Sequence, residues 1–448
     1  MRKTAIQLLY TLVFISSVIS SCKKEDNTTV SDTPTNSSGS SSSSPNILLL
    51  IADDLGKDAT PGFLTNEILT KANMPTLDSL RNNGLRFVNL WAAPTCAPTR
   101  ATLLTGKYGI DNGVLEVQGA SLSTSHTSIQ AFLDQQTGND YSSAIIGKWH
   151  VSSNYNDPQA MGVDYFAGIS GGGVSEKNNG YYNWGLVTNG VAATVNETTY
   201  ITTKLTDLAI DWMQAQSKPW FLWMAYNAPH TPFHEPPANL HTRTGITGDK
   251  QEMFLAAAEA LDTEIGRLIA AIPSDELANT IIMYIGDNGT PTQVAQRYQR
   301  VFSKRVKGSL FQGGVNVPMV VSGYGVTRIG GTDSSLINTT DFYATIADIA
   351  NTSTDSIHHS VSFKSLLSEE DTERRNYTYS EVSSGDKPGH IIRNSTYKLM
   401  KFDNDSTAFY NLLTDPFEES DLTNGAGLNA SEIADSTALS SILETIRD

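Results

Sequence analysis

Residues 46–56 read NILLLIADDLG, an unbroken apolar run from Ile47 to Ala52 that stops abruptly at Asp53 and Asp54. A strand with no polar alternation is buried on both faces, as a central strand of a parallel sheet is. Such sheets bind ligands outside the carboxyl ends of their strands. The two carboxylates therefore stand where chemistry is expected. Three later stretches repeat the pattern. YSSAIIGKWH (141–150) runs into Lys148 and His150, PWFLWMAYNAPHTPF (219–233) into His230, and NTIIMYIGDNG (279–289) into Asp287 and Asn288.

Between these strands the apolar spacing is helical. Helices are expected near 75–83, 99–107, 126–136, 200–216 and 250–271, with a further strand in LRFVN after Gly84. Strands alternating with helices give an α/β fold, a central mostly parallel sheet sandwiched by helices. Beyond residue 350 the pattern changes. YTYSEV (377–382), GHIIRNSTYKLMKF (389–402) and TAFYNLL (407–413) read as short strands separated by turn residues, with a closing helix near 429–445. The expected division is a catalytic α/β domain over 46–349 and a C-terminal subdomain over 350–448 with a small antiparallel sheet. SGGGVS (170–175) has the wrong spacing for a phosphate-binding loop and reads as an active-site rim or a linker.

The 448 residues carry a formal net charge of -16, which argues against nucleic acid as a partner. The first residues do not belong to the fold. Arg2 and Lys3 precede an apolar stretch ending near Val18, and Ile19, Ser20, Ser21 and Cys22 follow. This is the architecture of an export signal. It resembles a bacterial lipoprotein signal, 1–21, with Cys22 as the lipidated residue. It is too short for a spanning helix of ~17–25 apolar residues. Residues 22–45, rich in Ser and Thr, read as a flexible tether. With lipid on Cys22, Cys96 has no intramolecular partner among the two cysteines.

Asp53, Asp54 and Asp287 repel one another unless a cation holds them. In isolation an Asp-Asp pair more often caps a helix or faces water, but a third acid at the end of a similar strand tips the balance. With Asn288 the set is all oxygen, which favours one Ca2+ ion, or Mg2+, over zinc. Arg100, Lys148, His150, His230 and Lys307 would add a pocket for a small multi-oxygen anion. A histidine suits proton transfer to a leaving group near neutral pH. A serine or threonine nucleophile with a base partner is missing.

CAPTRATLLTG (96–106) resembles the signature of the type I sulfatases of the alkaline-phosphatase-like superfamily, with its Cys-x-Pro-x-Arg core. The resemblance extends through NILLLIADDLG, GKWH (147–150), NAPHTPF, GDNG (286–289) and KGSLFQGGVNVPMVV (307–321), in the family's order. It implies that Cys96 is converted by a maturation enzyme to formylglycine, whose hydrate carries the nucleophilic hydroxyl. It also implies a metal held by Asp53, Asp54, Asp287 and Asn288, and contacts from Lys148, His150 and Lys307 to the diol or sulfate. The metal and Arg100 would polarise the nucleophile, His230 would protonate the leaving oxygen, and His150 would accept the last proton. One departure stands out. Family members usually carry arginine before Val-Pro in the last block, and this chain has Asn316.

The function expected is hydrolysis of a sulfate ester on a carbohydrate, an oligosaccharide or polysaccharide. The alternatives are phosphodiester or phosphonate-ester hydrolysis on the same scaffold, and a non-catalytic glycan-binding surface lipoprotein, for which Tyr181, Tyr182 and Trp184 either line a sugar site or, as is commoner for such rings, pack. The expected partners are sulfated glycan, a sulfatase-maturation enzyme, lipoprotein-processing machinery and the membrane through Cys22 alone. The expected place is the bacterial outer membrane, facing outward, with the periplasmic side as the alternative. Loops 155–195, 231–249 and 290–305 would set substrate choice.

Overall fold

Strand β1, Asn46–Ala52, is buried along its whole length. Ile47, Leu49 and Ile51 point into one apolar cluster, and Leu48, Leu50 and Ala52 into the other. At about 1.5–3 kcal/mol for each large aliphatic side chain removed from water, this strand is a major contributor to the core. It pairs in parallel with Trp220–Ala225 (β7) on one side and Thr280–Gly286 (β8) on the other.

The computed structural model describes residues 44–448 apart from 65–69, 177–178, 247, 296–304, 355–356, 371–374, 386 and 426. The signal segment, Cys22, the lipobox and nearly all of the expected tether lie outside the described residues, as do parts of the three expected specificity loops. No helix among the described residues is long and apolar enough to cross a membrane.

The remaining strands of the main sheet are β2 (Gly84–Trp91), β3 (Ser142–Lys148), β4 (Tyr165–Ile169), β5 (Val187–Thr188), β6 (Val191–Ala192), β9 (Asn316–Gly323), β10 (Gly331–Asp333) and β11 (Ile337–Asn338). Their order is β10-β2-β9-β8-β1-β7-β3-β4-β5-β6, with β11 also on β2. The centre is parallel, as expected. Strand β9 runs antiparallel between β8 and β2, and β5 and β6 form an antiparallel edge. The helices Cys96–Thr105, Ile129–Thr137 and Asp341–Ile349 cover one face, and Pro75–Asn82, Ile201–Gln214 and Lys250–Ala270 the other.

Strands β12 (Thr378–Val382), β13 (Gly389–Arg393), β14 (Tyr397–Phe402) and β15 (Thr407–Asn411) form a separate antiparallel sheet in simple order. One face packs through Ile391, Met400 and Tyr410 on Trp91, Leu310 and Val315. The other packs through Ile392, Leu399 and Phe409 on the final helix, Ala430–Arg447.

Tyr181, Tyr182 and Trp184 are packing residues, the commoner of the two readings for such rings, and do not line a sugar site as exposed rings. Tyr181 and Trp184 are buried and Tyr182 is half-buried against the same apolar cluster. Tyr181 stacks on Tyr200 and His234, Tyr182 lies tilted to Tyr200 and edge-on to His234, and the Trp184 indole N–H donates to Thr199 O at 3.1 Å. Burying a ring whose polar end finds a backbone partner is more favourable than leaving it in water.

Candidate active site

The acids expected at the strand ends converge. The backbone turns sharply after β1, with Asp54 at φ 69°, and its N–H donates to Asp287 Oδ1 at 3.0 Å. Asp287 N–H in turn donates to Ala52 O at 3.1 Å, so the ends of β1 and β8 are stitched together. Asn288 donates through Nδ2 to Asp54 Oδ1 at 2.7 Å. All four groups are buried.

Cys96 opens the helix Cys96–Thr105, and Arg100 stands one turn later on the same side. Cys96 is a buried free thiol. Burial pushes its pKa up in spite of Lys148 and Lys307 nearby, so it is no ready thiolate nucleophile. Arg100 is fully buried. Its guanidinium reaches Asp287 Oδ2 at 2.8 Å and Lys148 O at 2.8 Å, with Asp53 Oδ2 at 3.9 Å.

Lys148 ends β3, and His150 follows it. Gly147 is obligatory just before them, because a Cβ there would lie 1.8 Å from Ala225 O. Lys148 Nζ lies 2.5 Å from Asp53 Oδ2. His150 is held neutral, pushed down to about 2 by burial and by Lys148 and Arg100. His230, in the loop after β7, places Nε2 3.6 Å from Asp54 Oδ2. Its Nδ1 faces Thr231 O at 2.8 Å and so carries the proton of that bond. Burial lowers its pKa, and Asp54 and Asp53 oppose that. Lys307 Nζ lies 2.5 Å from Asp54 Oδ1 and 2.6 Å from Oδ2. Burial would lower its pKa, but Asp54, Cys96 and Asp53 together outweigh that and raise it. Burial alone would raise Asp53; Lys148, His230, Arg100 and Lys307 hold it well below the carboxylate range. Burial and the Asp53 charge push Asp287 up to about 6.

All ten residues expected at the site are thus brought to one end of the sheet. Three carboxylates meet three fixed cations, so the group is near charge balance before any ion or substrate arrives. Two buried oxygens, Asp53 Oδ1 and Asn288 Oδ1, have no hydrogen-bond partner. Ligand atoms of Asp53, Asp54 and His230 lie within 4.8 Å of one another. A buried acceptor without a donor is costly, and a hard cation would satisfy both oxygens. The donor set therefore fits a divalent ion. With it the group carries an excess of positive charge suited to a sulfuryl anion.

Two features escaped sequence reasoning, and a third was read there only as an active-site rim or a linker. The C-terminal sheet holds the Lys307 loop, since Lys398 Nζ donates to Leu310 O at 2.6 Å and pairs with Glu418, whose Oε2 accepts from Gln312 N–H at 2.7 Å. Lys57 fills the place opposite Asn316, its Nζ 2.5 Å from Asn316 Oδ1 and 2.5 Å from Val88 O. The rim segment after β4 reaches both histidines, as a Cβ on Gly172 would meet His150 and one on Gly173 would meet His230. The glycine run was the available signal for the last. Neither of the other two carried one, because both join segments far apart in the chain.

The family model described as Sulfatase matches residues 45–352, more than half of the chain, and one described as N-sulphoglucosamine sulphohydrolase, C-terminal, matches 299–439. Among curated proteins the chain is similar to the uncharacterized sulfatase YdeN of Escherichia coli (strain K12), 30% identical over 317 residues, covering 62% of this chain and 54% of that one. It is also similar to arylsulfatase J of Mus musculus, 28% identical over 320 residues, covering 67% of this chain and 52% of that one. The chain spans about half the length of these relatives. Among solved structures it resembles Ps i-CgsB in complex with k-i-k-neocarrahexaose, with a TM-score of 0.76, 25% identity, and 90% and 92% of the two chains covered.

Proposed function

The chain belongs to the sulfatase family, and from that premise we propose that it hydrolyses a sulfate ester on a carbohydrate, through a nucleophile made from Cys96. The observation that carries this reading is the convergence of Cys96 and Arg100, one helical turn apart, on the buried acids and lysines at the ends of β1, β3 and β8. A sugar substrate is supported by the similarity to Ps i-CgsB, solved with k-i-k-neocarrahexaose.

Asp53, Asp54, Asp287 and Asn288 would hold one Ca2+ or Mg2+ ion, which when bound supplies charge to the sulfuryl oxygens and the nucleophile. Position 96, once its thiol has become an aldehyde, supplies a hydrated carbonyl with one hydroxyl to attack sulfur and a second whose ionisation expels sulfate. Arg100 and Lys148 fix Asp287 and Asp53 and keep positive charge beside the reacting centre. Lys307 steadies the bridging oxygen. His230 delivers the Nε2 proton of its charged form to the departing sugar oxygen, and Asp54 stabilises that form. His150, neutral and beside the pocket, accepts the proton released from the hydrate.

The remaining assignments belong to the same proposal. A maturation enzyme acts on Cys96, and lipoprotein-processing machinery acts on Cys22. The sulfated glycan is met outside the cell from an outer-membrane anchor. The α/β body to residue 349 and the subdomain from 350 act as one site-bearing unit, because the second holds the Lys307 loop.

The test is sulfate release from a panel of sulfated oligosaccharides by protein produced alongside a maturation enzyme, with intact mass measured at position 96. Conversion of Cys96 together with release that is abolished in C96A is the expected result. Converted protein that cleaves phosphate diesters in preference, or that binds sulfated glycan without releasing sulfate, overturns it.

A further inference from the structure

The segment after β4 wraps around both histidines. His150 N–H donates to Ser170 O at 3.1 Å. A Cβ on Gly172 would lie 2.4 Å from His150 Nε2, and one on Gly173 3.2 Å from His230 Cε1. The glycine backbone therefore closes over the two imidazoles, with no space for a Cβ at 172 and a tight one at 173. A few residues on, Tyr181 is fully buried, and its hydroxyl lies 2.8 Å from Asn227 O and 2.7 Å from His230 O. Those carbonyls are the two ends of the turn that His230 N–H closes onto Asn227 O at 3.0 Å.

The tyrosine is itself immobilised. Its ring stacks on His234 with centroids 3.7 Å apart and planes 25° from parallel. His234 donates from Nδ1 to Pro232 O at 2.9 Å and accepts at Nε2 from the Tyr200 hydroxyl at 3.0 Å. Tyr200, His234 and Tyr181 form a buried chain ending on the backbone of His230. The imidazole of His230 is oriented from within by its Nδ1–H bond to Thr231 O, which leaves Nε2 towards Asp54.

Resting on the sulfatase reading above, we propose that Tyr181 is a positioning residue for proton transfer. Its hydroxyl pins the Asn227–His230 turn while the backbone of Gly173 confines the ring. Together they set where Nε2 of His230 meets the leaving oxygen. Proton donation counts only when donor and acceptor come within hydrogen-bond reach. A misplacement of about 1 Å costs on the order of 10²-fold in rate. Phenylalanine at 181 keeps the ring, its stacking and its volume and removes only the O–H. The carbonyls of Asn227 and His230 then lose the O–H they share, and the turn is free to shift.

The consequence depends on the leaving group. A nitrophenolate departs without a proton, whereas a more basic oxygen needs one. Rates are measured on aryl sulfates of rising leaving-group basicity, from 4-nitrophenyl through phenyl to 4-methoxyphenyl sulfate, with protein converted at Cys96. Y181F is expected to retain 4-nitrophenyl sulfate turnover within ~3-fold, to lose ~10–100-fold in kcat on the most basic leaving groups, and to keep KM within ~2-fold. G173A, whose backbone has no left-handed φ, pushes on the same imidazole and is expected to show the same slope. It carries the test if Y181F does not fold. Y182F, whose hydroxyl meets only Glu235 O, is expected to follow the wild type throughout. Equal losses across the series in Y181F and G173A, or none in either, overturn this proposal alone. Wild-type protein inactive on every aryl sulfate and every sulfated sugar overturns it together with the reading beneath it.

Discussion

Lys148 Nζ lies 2.5 Å from Asp53 Oδ2, and both side chains are closed to solvent. The pair is the innermost of the charge contacts at the site, and Asp53 still has one oxygen without a partner. Removing the ammonium takes the nearest cation from a buried carboxylate and leaves Arg100 at 3.9 Å. K148M is expected to lower stability by about 3–5 kcal/mol in metal-free buffer. A cation held by Asp53 replaces the missing charge, so added Ca2+ should stabilise K148M more than it stabilises the wild type. Denaturant unfolding of both proteins with and without Ca2+ measures this. An equal increment in the two would show that no cation binds at Asp53.

The Lys398–Glu418 pair tests the link between the small sheet and the site. Both groups are buried, and Glu418 also accepts from Gln312 N–H in the segment that carries Lys307. K398M is expected to cost about 3–5 kcal/mol, because Glu418 is left charged and unpaired. The double variant K398M/E418L should recover most of that loss. Both should raise KM for a sulfated substrate through displacement of Lys307. Unfolding curves and KM measured side by side separate the two effects, and a KM unchanged in K398M would show that the small sheet does not position Lys307.

Acid sensitivity has an identifiable source away from the charged centre. His234 is buried, which lowers its pKa from 6.5 to about 4, and its bond to Pro232 O only partly opposes this. The unfolded chain therefore binds a proton that the native state refuses. Its contribution to stability is complete above about pH 6.5, is lost as pH falls towards 4, and is flat below that. The loss amounts to ~3 kcal/mol from this group. H234Q, which cannot take up that proton, should show a shallower fall in stability between pH 6.5 and 4. An unchanged slope would assign the effect to other groups.

Lys57 and Asn316 make a reciprocal pair. Burial, with Arg393 and Arg86 nearby, drives the Lys57 amine well below its ordinary pKa, and Asn316 Oδ1 accepts its hydrogen bond. The arginine that the family usually places at this position would set a guanidinium against that amine. N316R is expected to be destabilised by several kcal/mol, on the order of a broken buried pair. K57A/N316R should regain much of it, giving a coupling energy above about 1 kcal/mol in a double-mutant cycle. Additive effects would show that the two positions are independent.

The parts of the molecule legible in the sequence were those where one segment states its own role. NILLLIADDLG shows strand, burial and strand end in eleven residues, and the structure places all of them as read. The spacing of Cys96 and Arg100 places both on one helix face by local geometry alone. What was not legible depends on distant partners. The antiparallel run of β9 between β8 and β2 follows from chain connectivity, which its apolar composition does not encode. Tyr181 reads like any aromatic residue in a polar loop, and only the fold brings it under the His230 turn. Lys57 carries no local sign of its partner, which stands at residue 316.

The placement of β1 has a mechanical side. The described chain enters at Ser44 and Pro45, runs the length of β1, and reaches Asp53 and Asp54 at the far end, some ~20 Å away at ~3.3 Å per residue. Tension applied at Ser44 acts along the strand axis. Because β1 is flanked on both sides by parallel partners, β7 and β8, that tension shears two hydrogen-bond ladders at once and cannot peel either open one bond at a time. A tug on the amino end is therefore borne by the strongest part of the sheet, and the acids at the other end of the strand stay in register under load.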